Sequence, residues 1–454
     1  MTLKQRRLLY ILFIGAFLTL APAISFYAAG YDFNFQNGQV RRTGILIIET
    51  KPKDATVNLG NKKKYNWLYD FFYGDGELKT PLKLRNLLPD EYDIILSKEG
   101  YFNYQRKLKI ESGQTMFLED ILLFKESYPE LVSSDSINAI KASPDQKKLV
   151  VLTGSSLIII NMDNGKINKF PLGLSYSPYG QPEIVWAPSS KKVLLTYGNY
   201  PIYNIESGLN EVDVQKYFSG AITQVRWDFF SDNKVYVQHN NIIHQFNLAQ
   251  KKATLLMNKK IANDFLVKDS NLFMISQDNK GDTVDIYNHQ NGELIKSISV
   301  PNSSQYEFMH FDQKLIYLKD KVHDILYIIN PWSLLPIQDV INNVREFSVN
   351  GDQILYWNDF EIWSYDINNK IQILVTRISE KIDQALWHSS GRHVIYNTKN
   401  GFNVIELENN SYLSLTKILD WQNTSLSAIN VDNEFIYFTS PLKNGQGVYR
   451  LKIK

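Results

Sequence analysis

The sequence contains no cysteine. That excludes a disulfide framework, a thiolate metal site and a cysteine nucleophile, and leaves stability to a large core. Glycine (23) and proline (15) are few for 454 residues, which leaves little room for long disordered linkers. Neither charge sign is in excess: 49 Lys and Arg stand against 47 Asp and Glu, a formal net charge of +2. Such a balance lacks the basic footprint of a nucleic-acid binder, so no nucleic-acid partner is expected. Catalytic signatures are missing too. There is no G-x-S-x-G, no P-loop and no G-x-G-x-x-G. The seven histidines are scattered. His388 and His393 flank a turn without acids at a zinc spacing, and both read as structural or solvent-exposed. No catalytic, cofactor-binding or metal residue stands out, and no cofactor is expected.

What is present begins with a long apolar run. Lys4, Arg6 and Arg7 precede a charge-free stretch, 8–31, and Asp32 is the next acid. About 22 helical residues span roughly 33 Å, enough for a bilayer core of about 30 Å. Tyr10 lies near one end and Tyr27 and Tyr31 near the other, where interfacial aromatics belong. The basic cluster predicts a cytoplasmic N-terminus. Residues 1–31 are thus expected to form a cytoplasmic stub and a single-pass cell-membrane anchor, with the bulk of the chain extracytoplasmic. The rival is a cleaved signal peptide. Ala21-Pro22-Ala23 has the small-x-small form, but Pro22 is awkward there, and the run outlasts a typical apolar region of about 7–15 residues.

Residues 43–124 read as about six short strands. They are 44–50, 55–59, 80–84, 92–96, 104–110 and 115–123, with a turn at Lys98-Glu99-Gly100-Tyr101. Such spacing predicts a small β-sandwich. A strand opening at Gly44, Pro52 followed by Ala55-x-Val57, Thr80-Pro81, Leu87-x-Pro89 before Tyr92, and Gly100-Tyr101 together resemble the PEGA domain. The resemblance implies an extracytoplasmic adhesive or spacer module without catalytic residues. Asp90-Glu91 replaces the usual glycine after the turn proline. A long insert, 61–79, separates the second and third strands. It carries three lysines and then Tyr65, Trp67, Tyr69, Phe71, Phe72 and Tyr73. Either these aromatics fold back on the sandwich, or they make a basic-aromatic patch for headgroups or wall polymer. Trp67 and Tyr69 are its candidate interaction residues.

Residues 128–454 repeat. β-Rich units start near Ile137, Ile184, Ile222, Ala262, Tyr306, Val344, Ile382 and Leu426, close to the period of about 40–45 residues of a four-stranded propeller blade. Asn164-Gly165 and Asn291-Gly292 read as hairpin turns between third and fourth strands. Ala142-Ser143-Pro144-Asp145 and Trp186-Ala187-Pro188-Ser189 resemble the turn phrase of TolB-type and WD-type propeller repeats. The fold class expected is therefore all-β: an N-terminal transmembrane helix, a PEGA-like β-sandwich, then a β-propeller of eight blades, alternatively seven. The final unit lacks a fourth strand, and 128–132 is the expected donor, because a closed ring leaves no open edge.

Trp186, Trp227 and Trp387 share one position before the first turn, which points to packing between blades. Trp332, Trp357, Trp363 and Trp421 do not share it. They are candidates for exposed contacts, Trp332 and Trp421 foremost. Together these features predict a non-enzymatic cell-envelope scaffold that displays its propeller to a protein or glycan partner. The alternative is a propeller-type extracytoplasmic glycan-active enzyme with acids drawn from several blades.

Overall fold

The computed structural model describes residues 3–34, 39–60, 77–172, 182–258, 264–278, 281–309, 314–408, 411–443 and 445–454. The chain divides into two compact units. One comprises residues 1–127, 413–418 and 454; the other comprises 128–412 and 419–453.

In the first unit the apolar run forms a helix, α1 (Leu3–Ala28), with Pro22 inside it. Its 26 residues rise about 39 Å at about 1.5 Å each. The helix is long and apolar enough to cross a membrane, and its described side chains are almost all exposed. A two-stranded antiparallel ribbon follows, β1 (Tyr31–Asn34) with β2 (Gln39–Arg42).

The sandwich has two three-stranded sheets. In one, β3 (Gly44–Lys51) lies between β5 (Leu82–Leu87), antiparallel, and β8 (Thr115–Leu122), parallel. In the other, β6 (Asp90–Ser97) lies between β4 (Thr56–Leu59) and β7 (Tyr104–Ile110). Alternation along the strands sends Leu46 and Ile48 of β3 and Tyr92, Ile94 and Leu96 of β6 into one core, the period-2 logic of a half-buried strand. Tyr92 places its ring in that core and donates its hydroxyl to the Leu88 carbonyl at 2.8 Å, as a tyrosine corner does. Gly44 is required by space: a Cβ there would lie 2.5 Å from Ile110 and 2.8 Å from the Glu111 carbonyl. Gly100 adopts φ +76° in the turn, a conformation that glycine takes at no steric cost.

From Glu130 onward the described residues form eight four-stranded sheets. Seven follow chain order, over 137–171, 184–213, 222–257, 265–300, 306–341, 346–377 and 382–420. In the eighth, Ser425–Ile429, Phe435–Leu442 and Gly445–Lys452 are completed by β9 (Glu130–Ser133). Each sheet packs on the next through buried apolar side chains, and the eighth packs on the first. Because a middle strand is covered on both faces, it is apolar throughout rather than alternating. Leu149 to Leu152 and Leu157 to Ile160 are buried without a break, whereas the outer strand Ile167–Pro171 is largely exposed.

Closure joins the two ends of the repeat array. Val448, Tyr449 and Arg450 pair with Ser133, Leu131 and Glu130. The Arg450 Nε donates to Glu130 at 2.7 Å. Tyr437 of the eighth sheet donates to the Met162 carbonyl of the first at 2.9 Å. The closing strand thus lies slightly later than the expected 128–132, and Tyr128 is left exposed.

Candidate interaction face

First strands of neighbouring sheets meet at several seams, the first with the second and eighth, the fourth with the fifth, and the seventh with the sixth and eighth. Several charged groups on or near these strands are paired. Asp264 accepts from Gln224 Nε2 (2.7 Å), Arg226 Nη2 (2.6 Å) and the backbone N–H groups of Phe265 (2.9 Å) and Phe308 (2.7 Å). One buried carboxylate therefore ties the third, fourth and fifth sheets. Glu183 pairs with Lys141 at 3.5 Å and Glu307 with Lys321 at 2.7 Å, and Asp359 pairs with Arg345.

Several carboxyls elsewhere in the unit are held below the ordinary carboxylate value. A bond from Lys169 lowers Asp135, one from Trp363 lowers Glu361, and the Asn369 backbone N–H lowers Asp366. At Asp213 and Asp320 burial alone would raise the carboxyl. Bonds from Lys216 and Asn210 at the first, and from Ser303 and His323 at the second, outweigh it. All five are thereby kept ionised, the opposite of what a general acid needs.

His388 and His393 are buried with ring centroids 5.5 Å apart. The Nδ1 atoms of both meet the Ser390 hydroxyl, at 2.9 and 3.0 Å. Burial, then the neighbouring His388 and Arg392, pushes His393 down to about 3. The pair and the Ser390 hydroxyl form a structural bracket of the turn. Among the described residues no group of three or more His, Asp or Glu is arranged to hold a metal ion.

The described tryptophans occupy three kinds of setting: buried in seams, half-buried and exposed. Trp186 donates its Nε1 to the Lys141 carbonyl (3.2 Å) and Trp227 to the Val185 carbonyl (3.1 Å), each reaching the first strand of the preceding sheet. Trp387 packs at the seam of the sixth and seventh sheets. Trp357, expected to be exposed, is 4% exposed and lies in that same seam. It ends a second strand, Gln353–Trp357, and second strands are covered on both faces. Trp363 is half-buried, stacked 6.4 Å from Tyr356. Trp421 is half-buried too, with its ring 5.1 Å from Tyr449 and 6.3 Å from Phe438. Trp67 and Tyr69 lie outside the described residues.

Trp332 is different: it is 59% exposed, on the loop between the third and fourth strands of the fifth sheet. Leu335 beside it is 77% exposed and Leu334 fully so. The loop is held from below. Asn330 N–H donates to the Pro336 carbonyl at 2.8 Å, and Asn330 Oδ1 accepts from Trp332 N–H at 3.2 Å. Lys296, from the outer strand of the fourth sheet, donates its ammonium to the carbonyls of Pro331 (2.9 Å) and Ser333 (3.0 Å). Gln338 donates to the Leu335 carbonyl.

Next to this loop a groove of about 590 Å³ opens between the fifth and sixth sheets, within the size range of ligand sites. Asn330, Gln338, Asp339, Asp352, Tyr365 and Lys370 contribute to its walls. Lys370 donates to the Gln338 carbonyl at 2.9 Å and Tyr365 to Asp339, so part of the polar wall is already ordered. Sequence reasoning named Trp332 but missed Leu334, Leu335 and Lys296. The available signal was a bulky apolar run bracketed by Pro331 and Pro336, neither of which extends a central strand.

Fold and face together define a chain with a membrane-length helix, a β-sandwich and a β-propeller. Residues 43–121 match the model of the PEGA domain family. No curated protein matches the chain. Among solved structures, the Dos1 propeller is 11% identical, with a TM-score of 0.50, over 72% of this chain and 95% of that one. Sqt1 of Saccharomyces cerevisiae is 11% identical with a TM-score of 0.46, over 72% of this chain and 99% of that one. BamB of Moraxella catarrhalis is 11% identical with a TM-score of 0.42, over 71% and 99%. The likeness to the Dos1 propeller is one of fold.

Proposed function

We propose that the protein is a single-pass scaffold of the cell envelope. Residues 1–31 form the cytoplasmic stub and anchor, 43–124 a PEGA-like spacer and 128–454 a propeller that presents an interaction face outside the cell membrane. The observation that carries this reading is the hydrogen-bonded, exposed Trp332 loop beside the groove between the fifth and sixth sheets. Large solvated apolar groups in a contiguous patch mark interaction sites. The five carboxyls held ionised support binding rather than glycan hydrolysis, which relies on a carboxyl held protonated.

Two measurements test it. Protease added to intact cells should degrade the chain beyond residue 32 and spare the N-terminus, and the full-length chain should sediment with membranes. Recovery of the full-length chain in the soluble extract would overturn the anchor. A photo-crosslinking residue at position 332 should capture a protein or lipid partner in cells, whereas one at Leu209, an exposed residue of the second sheet, should not. Equal labelling from both positions would overturn the assigned face.

A further inference from the structure

The Trp332 loop has a geometry that narrows what it touches. Scattered exposed apolar residues are ordinary on a protein surface. Here three bulky ones fall within four positions at one loop tip, Trp332, Leu334 and Leu335. They stand out from the surface instead of lining the groove, whose walls are contributed by Asn330 on one side of the tip and Gln338 on the other. The bonds from Lys296, Asn330 and Gln338 hold the loop backbone. The display is therefore built, and little conformational freedom is lost when the tip is covered.

The composition of the tip favours one occupant. Two leucines offer no stacking face for a sugar ring. Tryptophan beside aliphatic side chains suits the boundary between headgroups and acyl chains, where an indole keeps its N–H wet and its rings dry. The groove beside the tip carries both signs, Lys314 and Lys370 with Asp339 and Asp352, and the Lys296 ammonium is taken up by the Pro331 and Ser333 carbonyls, so the apolar side chains rather than charge select the occupant.

We propose that residues 331–336 are a membrane-interface contact, with Trp332, Leu334 and Leu335 inserted among the lipids of the bilayer that α1 spans. This rests on the reading of α1 as an anchor. Three side chains are a weak membrane signal alone. In a chain already tethered to the bilayer, the second contact becomes intramolecular and gains from high effective concentration. The contact would restrict how the anchored propeller presents its remaining surface.

The test uses the full chain reconstituted into vesicles of phosphatidylethanolamine and phosphatidylglycerol, with or without bromine on the acyl chains. The difference between wild-type and Trp332→Phe emission isolates the Trp332 signal from that of the other tryptophans. Flotation of the vesicles reports anchoring separately. The expected result is co-flotation together with loss of the Trp332 component in brominated vesicles. Leu334→Ser/Leu335→Ser should restore that component without changing the thermal unfolding midpoint. A chain that floats while its Trp332 component persists in brominated lipid overturns the proposal. If that persistent component is also shielded from a water-soluble quencher, the tip is covered by protein instead. A chain that fails to float overturns the anchor reading, and the membrane contact with it.

Discussion

Ser389 and Asn433 occupy corresponding turns of the seventh and eighth sheets and bond across the seam between them. Ser389 N–H donates to Asn433 Oδ1 at 3.0 Å, and Asn433 Nδ2 donates to the Ser389 hydroxyl. The same turn is used elsewhere. Ser189 N–H donates to Asp232 at 3.2 Å between the second and third sheets, and Asp145 N–H to the Ser190 hydroxyl at 3.2 Å between the first and second. The repeated turn phrase thus stitches one sheet to the next as well as reversing the chain.

Asn433 has φ +53°, which separates backbone from side-chain effects. Asn433→Gly keeps the left-handed backbone and removes the cross-seam bonds. It should cost about 1 kcal/mol in urea denaturation. Asn433→Ala adds the strain of a Cβ at positive φ and should cost more. Equal stability of the glycine variant and wild type would mean that these bonds contribute nothing net.

Removal of Gly445–Lys452 takes the strand that pairs with β9 and strips Val448 from the seam between the eighth and first sheets. A closed ring shares that loss among its sheets. The truncated chain should therefore unfold at a lower midpoint and with lower cooperativity in calorimetry. An unchanged calorimetric transition would show that closure contributes nothing to the ring.

Trp357 and Trp332 should respond oppositely to truncation. Trp357→Ala opens a cavity in the seam of the sixth and seventh sheets and should cost about 3–5 kcal/mol. Trp332→Ala should stay within about 0.5 kcal/mol, since the ring is mostly solvated. Chemical denaturation of both variants decides; a destabilising Trp332→Ala would make that loop a structural element.

Stability should depend on pH through His393. Its folded value is about 3, against about 6.5 in an unfolded chain. Between these values the unfolded chain binds a proton that the folded chain does not, so stability rises with pH across that window. The contribution is complete above about 6.5 and is lost as pH falls toward 3. Thermal midpoints measured from pH 7 to pH 4 should fall, and His393→Asn should flatten the slope. Parallel slopes for the two proteins would place the titrating group elsewhere.

The local features were legible because short stretches decide them. The apolar run became α1, and the turns at Gly100, Gly165 and Gly292 appeared where glycine or Asn-Gly was read. First strands begin at Ile137, Ile184, Ile222, Phe265, Tyr306, Glu346, Ile382 and Ser425, close to the expected repeat starts. Repetition made this possible, since each unit is an independent copy of one pattern. Trp357 was misread for the converse reason. Its sequence neighbours show a strand but not that another sheet covers its outer face.

Periodicity and turn chemistry within each stretch determined the membrane-length helix, the sandwich pattern and the strand order of the repeats, because propensity and spacing act over a few residues. Only the tertiary structure decided what distant residues do together. It paired Glu130 with Arg450 and brought Asp264 under three sheets. It set Lys296 beneath a loop more than thirty residues further along, leaving Leu334 in solvent. Those outcomes depend on which surfaces meet when sheets pack face to face, and that geometry is a property of the assembled ring rather than of any segment.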